Sequence, residues 1–164
     1  MNIRHALPDD LDTLSRIEVE SYPSAEGASR DSIQKRLQYY PDHFWILEND
    51  DGNISAFVNG FCTNEPDLTD EMYDHPEMHD PEGAWQMIFS VVTTPEYRGQ
   101  GYAGMLLKQV KQDARTENRK GIVLTCKDRL IPFYSKYGFA DEGISGSVHG
   151  NVVWHQMRCL LKDK

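Results

Sequence analysis

The chain has 164 residues, of which 39% are hydrophobic and 26% are charged, and its formal net charge at pH 7 is −9. This length suits one domain with one hydrophobic core over residues 1–164. The acidic balance argues against nucleic acid as a partner, because its phosphates require a basic protein surface. No apolar run has the length of a membrane span, and the first residues lack a signal-peptide core. We therefore expect no membrane association.

The N-terminal part of the chain predicts one strand and two helices. Residues 2–6 have strand character, and Asp9 can cap a helix that runs through residues 11–18. The dipeptide Tyr22-Pro23 ends this helix, because a residue before proline avoids helical backbone angles. Ser29 caps a second helix, with apolar side chains at positions 33 and 37 on one face.

A hairpin and a long acidic run follow. Strand-like residues over 44–47 and 54–61 flank a turn at 49–53, which is a hairpin signal. From 64 to 83 the chain has no clear periodicity and no lysine or arginine. A solvated loop is the simpler interpretation, and an acidic lid or funnel that attracts an ammonium group is the alternative. The acids of this run are Glu65, Asp67, Asp70, Glu71, Asp74, Glu77, Asp80 and Glu82.

The C-terminal half alternates strands and helices. An apolar strand over 84–93 leads to a glycine-rich loop and then to a helix over 102–118, whose apolar stripe predicts a buried face. The remaining predicted elements are a strand over 121–125, a short helix over 131–137 that ends at Gly138, and a final hairpin of strands over 139–148 and 151–161.

Three cysteines, Cys62, Cys126 and Cys159, are widely spaced and odd in number. This pattern predicts free thiols in a reducing, cytoplasmic compartment rather than a disulfide framework. Each cysteine lies among strand-like residues, which favours a small buried hydrophobe over a nucleophile.

The glycine-rich loop at 98–104 reads Arg-Gly-Gln-Gly-Tyr-Ala-Gly and predicts a phosphate site. Glycines at a strand-to-helix junction leave N–H groups bare, and the first helical turn has unpaired donors and a positive dipole end. Read from Gly99, the loop spells the G-x-G-x-x-G of dinucleotide-binding folds. The turn at 94–97 and the roughly sixty residues that follow do not suit a doubly wound sheet. A glycine-rich turn that binds nothing is the remaining alternative.

Read from Arg98, the same loop follows the pattern [Q/R]-x-x-G-x-[G/A], and residues 91–101 resemble motif A of the GNAT acetyltransferases. Residues 131–139 resemble motif B, and segments 20–29 and 124–134 are similar to the arylalkylamine (serotonin) N-acetyltransferase branch. The resemblance spans nearly the whole chain. It implies an α+β fold of the GNAT type, with a mostly antiparallel mixed sheet that splays at the strand before the loop and about four flanking helices.

The resemblance also implies acetyl-CoA as the cofactor and a small-molecule amine as the acceptor. The end of the strand would bind the pantetheine arm as an added strand, and an N–H near Val91 would polarise the thioester carbonyl. Tyr134 matches the family's general acid for the leaving thiolate, although core packing is the alternative role. The implied cofactor-binding residues are Val91, Val92, Thr93, Arg98, Gly99, Gln100, Gly101, Tyr102, Ala103 and Gly104.

The general base is not identified by the sequence. The arylalkylamine branch carries two histidines where this chain has Met87 and Phe89. A water chain is one alternative, and the side-chain candidates are Glu18, Glu26, His149 and His155. The acceptor pocket of the family forms from the first two helices, their loop and the final hairpin. The substrate-binding residues that this implies are Tyr22, Pro23, Phe89 and Trp154.

Several further expectations remain open. His75 and His79 are four residues apart, but Pro76 disfavours a helix between them, and we expect no metal site. An aralkyl amine or polyamine is the leading acceptor, ahead of a protein lysine or N-terminus. A catalytically silent acyl-CoA-binding module is the alternative function, and a homodimer is expected only by analogy.

Overall fold

The computed structural model describes residues 1–22, 26–147 and 149–161, without the side chain of His149. The strands in this part of the chain form two sheets. In the first sheet, the strands Asn2–Arg4 (β1), Phe44–Glu48 (β2), Ile54–Asn59 (β3) and Ser90–Thr93 (β6) are neighbours in that order. In the second sheet, the order is Cys62–Thr63 (β4), Trp85–Ile88 (β5), Gly121–Cys126 (β7), His155–Leu160 (β9) and Ala140–Ile144 (β8).

Helices connect these strands. The α-helices are Leu11–Ser21 (α1), Arg30–Tyr39 (α2), Asp70–Asp74 (α3), Tyr102–Thr116 (α4) and Ile131–Ser135 (α5). Only β5 and β7 pair in parallel, and the other strand pairs of the described part are antiparallel. The predicted α+β fold class with a mixed, mostly antiparallel sheet is confirmed.

The predicted single strand over 84–93 is instead two strands that belong to different sheets. Phe89 separates β5 from β6, and its N–H donates to the carbonyl of Asn59 at 2.7 Å. Ser90 is the register partner of Asn59, so two residues oppose one, which is a β-bulge. A Cβ on Gly60 would lie 1.8 Å from the Met87 carbonyl oxygen, so glycine permits the close approach at this point. The predicted splay therefore arises from the bulge.

Two hydrophobic clusters hold the elements together. One lies beneath α4 and includes Leu106, Leu107 and Val110, and the other lies beneath α1 and α2 and includes Leu14 and Ile33. Burial of each such side chain contributes about 1.5–3 kcal/mol to folding. The clusters share no described residue, and alternate residues of β2 and β3 belong to different clusters, so each face of the first sheet has its own apolar support.

Local chemistry accounts for most element boundaries. The Ser29 side chain accepts a hydrogen bond from the Ser32 N–H at 3.1 Å, as predicted for a helix cap. The chain ends its short fifth helix near Gly138, which has φ of +91°. The predicted cap by Asp9 is wrong: the Asp10 carboxylate accepts the Leu7 N–H at 2.7 Å, and residues 8–10 form a single 3₁₀ turn before α1.

The acidic run at 64–83 has more structure than the sequence indicates. It contains α3, which is too short to display a helical period, and a 3₁₀ turn at Pro76–Met78. None of the helices in the described ranges combines the length and the apolar character that a bilayer crossing requires. The three cysteines are free and buried, and burial raises the pKa of Cys62 to about 12 and that of Cys126 to about 11. Both thiols therefore stay protonated at neutral pH, as expected for inert core residues.

Candidate active site

The glycine-rich loop joins the end of β6 to the start of α4. A 3₁₀ turn at Pro95–Tyr97 precedes it. Gly99 has φ of +83° and Gly101 has φ of +80°, a conformation that side chains with a Cβ rarely adopt. A Cβ at either position would meet nothing within 4 Å, so the backbone conformation, and not lack of space, requires glycine. The loop is therefore open to an approaching ligand.

The N-terminus of α4 provides unpaired donors. The first bond of this helix runs from the Met105 N–H to the Gly101 carbonyl at 3.1 Å, so the preceding amides have no partner within the helix. The first turn carries no acidic residue, and so the positive end of the helix dipole is not neutralised locally. Arg98 is exposed and donates through Nε to the Thr93 carbonyl at 3.3 Å. These features suit a pyrophosphate.

Gly104 has a different role from the other two glycines. A Cβ there would lie 1.9 Å from the hydroxyl oxygen of Tyr137. The residue is buried in α4, and its lack of a side chain lets the helix pack against the segment after α5. Packing thus explains why position 104 is glycine, and only its backbone N–H is available for the predicted phosphate contact.

The edge of β6 presents its backbone to the splayed gap. The Thr94 N–H donates to the Ser55 carbonyl at 2.9 Å, so the peptide groups of alternate residues, Val92 among them, face β3. Those of Val91 and Thr93 face the opposite edge, where β6 has no strand partner in the described part. The Val91 carbonyl accepts the Tyr22 hydroxyl at 3.2 Å. The N–H groups of Val91 and Thr93 are consequently directed into the gap.

A cleft of about 410 Å³, including its open mouth, lies in this gap. The structure brings five predicted residues together in its wall, namely Tyr22, Phe89, Val91, Tyr134 and Trp154. Pro23, the other predicted substrate-binding residue, lies outside the described residues. Residues from distant segments therefore form a single concave surface at the edge of β6.

Tyr134 is buried in α5, with 6% of its surface exposed. Its hydroxyl forms no hydrogen bond within the described part of the chain. Burial, together with the nearby Cys126 and Tyr73, raises the pKa of Tyr134 above its usual value. The phenol therefore stays protonated at neutral pH and is available as a proton donor in the cleft.

A second cavity of about 540 Å³ continues from the first, with Glu26, Tyr73, Phe89 and Ser90 in both walls. Glu18 lines it from α1 and is 2% exposed. Its Oε2 accepts the Ala28 N–H at 2.9 Å and lies 3.4 Å from Ser90 Oγ, which donates to it. Glu18 shares the buried face of α1 with Leu14 and Ile17, and this spacing is the sequence signal that distinguishes it from the exposed acids.

Glu26, another candidate for the base, is paired. Its Oε1 lies 2.7 Å from Lys127 Nζ, and only 8% of its side chain is exposed. The acidic run contributes Tyr73 and Asp74 to the second cavity. The Tyr73 hydroxyl lies 3.0 Å from Thr125 Oγ1, which fastens α3 to the end of β7. The acidic composition of this run does not indicate that its tyrosine lines both cavities.

The histidine candidates lie elsewhere. His155 pairs with Asp141 at 3.2 Å across the final hairpin, and the side chain of His149 lies outside the described part. His75 pairs with Glu77 on the surface. His79 turns inward and meets His43 and Cys62, with possible ligand atoms within 4.8 Å of one another.

Hydrogen bonds already occupy this histidine–cysteine cluster. His43 Nδ1 and Cys62 Sγ lie 2.8 Å and 3.1 Å from the same oxygen, Gln86 Oε1, and the Cys62 N–H donates to His79 Nδ1 at 3.1 Å. The Gln86 side-chain nitrogen donates to three backbone carbonyls, so its oxygen must face the cluster. The arrangement is that of a polar network inside the core.

Known proteins resemble this chain in sequence over most of its length. A model of the acetyltransferase (GNAT) family matches residues 11–139. The serotonin N-acetyltransferase of Mesocricetus auratus is 27% identical over 161 residues, which cover 94% of this chain and 75% of that protein.

Solved structures share the fold. A GNAT-like decarboxylase, GphF, in complex with isobutyryl-CoA superposes with a TM-score of 0.85 at 22% identity, covering 99% of this chain and 100% of that one. The ribosomal-protein-S18-alanine N-acetyltransferase of Escherichia coli gives 0.73 at 15% identity, covering 99% and 95%. Family members use CoA-linked acyl donors. Since the family model covers most of the chain, this protein belongs to the GNAT acetyltransferase family.

Proposed function

We propose that the protein is an acetyl-CoA-dependent N-acetyltransferase that transfers the acetyl group to a primary amine of a small molecule in a ternary complex. One observation carries the proposal: Tyr134 and the unpaired edge of β6 line the same cleft, which adjoins a cavity lined by acids. A donor site and an acceptor site thus meet at Phe89 and Ser90. Membership of the GNAT family supports an acyl-CoA donor.

The cofactor would bind along β6 and the start of α4. The amides of residues 99–104 and the charge of Arg98 suit the pyrophosphate. The N–H groups of Val91 and Thr93 suit the carbonyl groups of the pantetheine arm, which would extend the sheet as an added strand. The Val92 peptide group is engaged with β3, so the cofactor would use the backbone only of its two neighbours.

In the reaction, Glu18 takes a proton from the acceptor ammonium, and the neutral amine attacks the thioester carbonyl. The Val91 N–H stabilises the oxyanion of the tetrahedral intermediate. The attacking nitrogen then loses its extra proton to solvent, the carbon–sulfur bond breaks, and Tyr134 protonates the thiolate. Proton return from Glu18 to the tyrosinate through solvent regenerates the site. We prefer Glu18 to Glu26 as the base because Glu26 is already engaged in an ion pair with Lys127.

The acceptor would lie in the second cavity. Glu18, Glu26 and Asp74 line it and favour a cation, and the rings of Tyr73 and Phe89 suit an apolar amine body. A cytoplasmic location and a homodimer remain predictions. The net charge of −9 supports an amine rather than a nucleic acid as the partner.

The test is incubation of the protein with acetyl-CoA and a panel of aralkyl amines, polyamines and lysine-containing peptides, with release of free thiol as the readout. We expect amine-dependent thiol release with at least one small amine. Release only with peptides would replace the acceptor class by a protein lysine or N-terminus. Tight CoA binding without release on any amine would instead favour the silent acyl-CoA-binding module.

A further inference from the structure

A buried arginine lies in the acceptor cavity. Arg36 of α2 is 2% exposed and lines the cavity with Glu18 and Asp74. Its Nη1 donates to Asn59 Oδ1 at 3.0 Å, and its Nη2 donates to the Tyr73 carbonyl at 3.2 Å. The guanidinium carbon lies 5.2 Å from the centre of the Phe89 ring.

No carboxylate of the described residues forms a salt bridge with Arg36. Its Nε is buried and has no hydrogen-bond partner there. A guanidinium has five N–H donors and stays charged at every physiological pH, yet both acceptors that Arg36 contacts are neutral. Glu18 and Asp74 line the same cavity, but neither forms a salt bridge with the guanidinium. A buried guanidinium without a directly paired carboxylate is unfavourable, so the arrangement points to an anion that comes from outside the chain.

Another buried arginine shows what a purely structural role looks like in this protein. Arg119 is 7% exposed, and its guanidinium contacts the Glu117 carboxylate at 3.2 Å and the carbonyls of Gly83 and Pro81. It therefore has both a counter-ion and backbone acceptors. Arg36 has only the neutral acceptors, and beside it Asn59 Nδ2 is a further buried donor without a partner among the described residues.

We infer that Arg36 forms a carboxylate subsite and that the acceptor is a primary amine which also carries a carboxylate. This inference rests on the proposed function and names the class of its substrate. In the bound acceptor, the ammonium group faces Glu18 and the carboxylate faces the guanidinium. Phe89 lines both cavities and lies beside Arg36. The body of the acceptor therefore packs on this ring, between the carboxylate at Arg36 and the amine that reacts with the thioester.

A carboxylate can also come from the acyl chain of the donor, as in a dicarboxylic acyl-CoA. The location of Arg36 favours the acceptor. The cleft that contains Val91 and Tyr134 has no arginine or lysine among its described lining residues. Arg36 lies instead in the cavity between α1 and α2, on the far side of Phe89 from the expected thioester.

The test is calorimetric binding of matched ligand pairs to the CoA-loaded protein, which does not depend on turnover. The pairs are tryptophan with tryptamine, tyrosine with tyramine, and 4-aminobutyrate with butylamine. We expect at least one carboxylated member to bind about tenfold more tightly than its partner. Arg36→Met should abolish this preference, and Arg36→Lys should keep part of it. Arg30→Met, an exposed position on the same helix, is the matched control.

Equal affinity within every pair overturns the inference, and so does a preference that survives in Arg36→Met. If Arg36→Met does not fold, the wild-type pairs and Arg36→Lys still decide the matter. A preference for carboxylated ligands without acetylation of any amine supports the subsite and overturns the proposed function instead. An Arg36-dependent preference for succinyl-CoA over acetyl-CoA assigns the carboxylate to the donor and overturns the acceptor assignment.

Discussion

The two halves of the proposed active site are built in different ways. The cofactor half comes from one continuous segment, in which the β6 edge, two glycines with positive φ and the first turn of α4 follow one another. The acceptor half combines side chains from α1, α2, α3 and the bulge at Phe89, which are far apart in sequence. The cofactor half can therefore be recognised in the sequence, whereas the acceptor cavity forms only when distant segments pack together.

The largest effect is expected in the acceptor half, from Glu18→Gln. The amide keeps an oxygen that can accept the Ala28 N–H, but it cannot take a proton from the amine. We expect turnover to fall roughly 100-fold, the usual scale for loss of a general base. The affinity for CoA should not change, because Glu18 lines the cavity between α1 and α2 and not the cleft that contains Val91 and Tyr134.

The control for this variant is Glu20→Gln. Glu20 belongs to the same helix and pairs with Arg16 on the surface at 3.1 Å. Thiol release under saturating acetyl-CoA measures both variants. Equal turnover in Glu18→Gln and the wild type would remove Glu18 from the mechanism and leave solvent as the proton acceptor.

Tyr134→Phe separates chemistry from binding on the cofactor side. It removes the buried proton donor and keeps the ring that packs against Phe133 and Phe139. We expect turnover to fall by a factor of roughly ten or more, with little change in CoA affinity. Tyr137→Phe is the control, since this hydroxyl faces Gly104 in α4. A similar loss in both variants would indicate a packing effect rather than proton transfer.

Gly101→Ala tests the positive-φ conformation of the glycine-rich loop. The alanine must adopt φ near +80°, which costs about 1–3 kcal/mol or forces the loop to change conformation. We expect CoA affinity to fall roughly five- to tenfold, because the amides would lose their alignment. Calorimetric titration with CoA measures this effect.

Gly52→Ala supplies a matched comparison. Gly52 also has φ of +80°, and a Cβ there also meets nothing within 4 Å, but it lies in the turn between β2 and β3. Both variants should lower the melting temperature by a similar amount, and only Gly101→Ala should weaken CoA binding. Loss of CoA affinity in both would show that the effect is general destabilisation.

The same contrast explains what the sequence could predict. The helix cap at Ser29 and the glycine-rich loop between a strand and a helix follow from local backbone chemistry, so residue type and spacing were sufficient. The break at Phe89 was not foreseeable in this way, because an apolar run is equally compatible with one strand or two. The bulge depends on which strands the two parts pair with, and pairing is a property of the whole sheet.

Arg36 and Tyr73 are two further residues whose positions in the cavity were not predicted from the sequence. Arg36 lies between Ile33 and Leu37 on the apolar face of α2, and an arginine on a buried face is a signal that sequence reasoning passed over. Nothing near Tyr73 indicates that it reaches Thr125, because this contact spans from α3 to the end of β7. The chemistry of the acceptor half is thus recognisable residue by residue only in the folded chain.

The smallest expected effect concerns His79, which attaches the acidic run to the core through the Cys62 N–H. The same run carries Tyr73 into the cavity. Burial, reinforced by the neighbouring His43 and Arg119, lowers the pKa of His79 to about 4. The unfolded chain binds this proton near pH 6.5 and the folded chain does not, so stability is complete above that pH and is lost as the pH falls toward about 4. His79→Gln should flatten the fall in melting temperature between pH 7 and pH 5, whereas His75→Gln, on the exposed surface, should not. Parallel slopes in His79→Gln and the wild type would show that other groups, such as the carboxylates and the buried His43, govern the acid sensitivity.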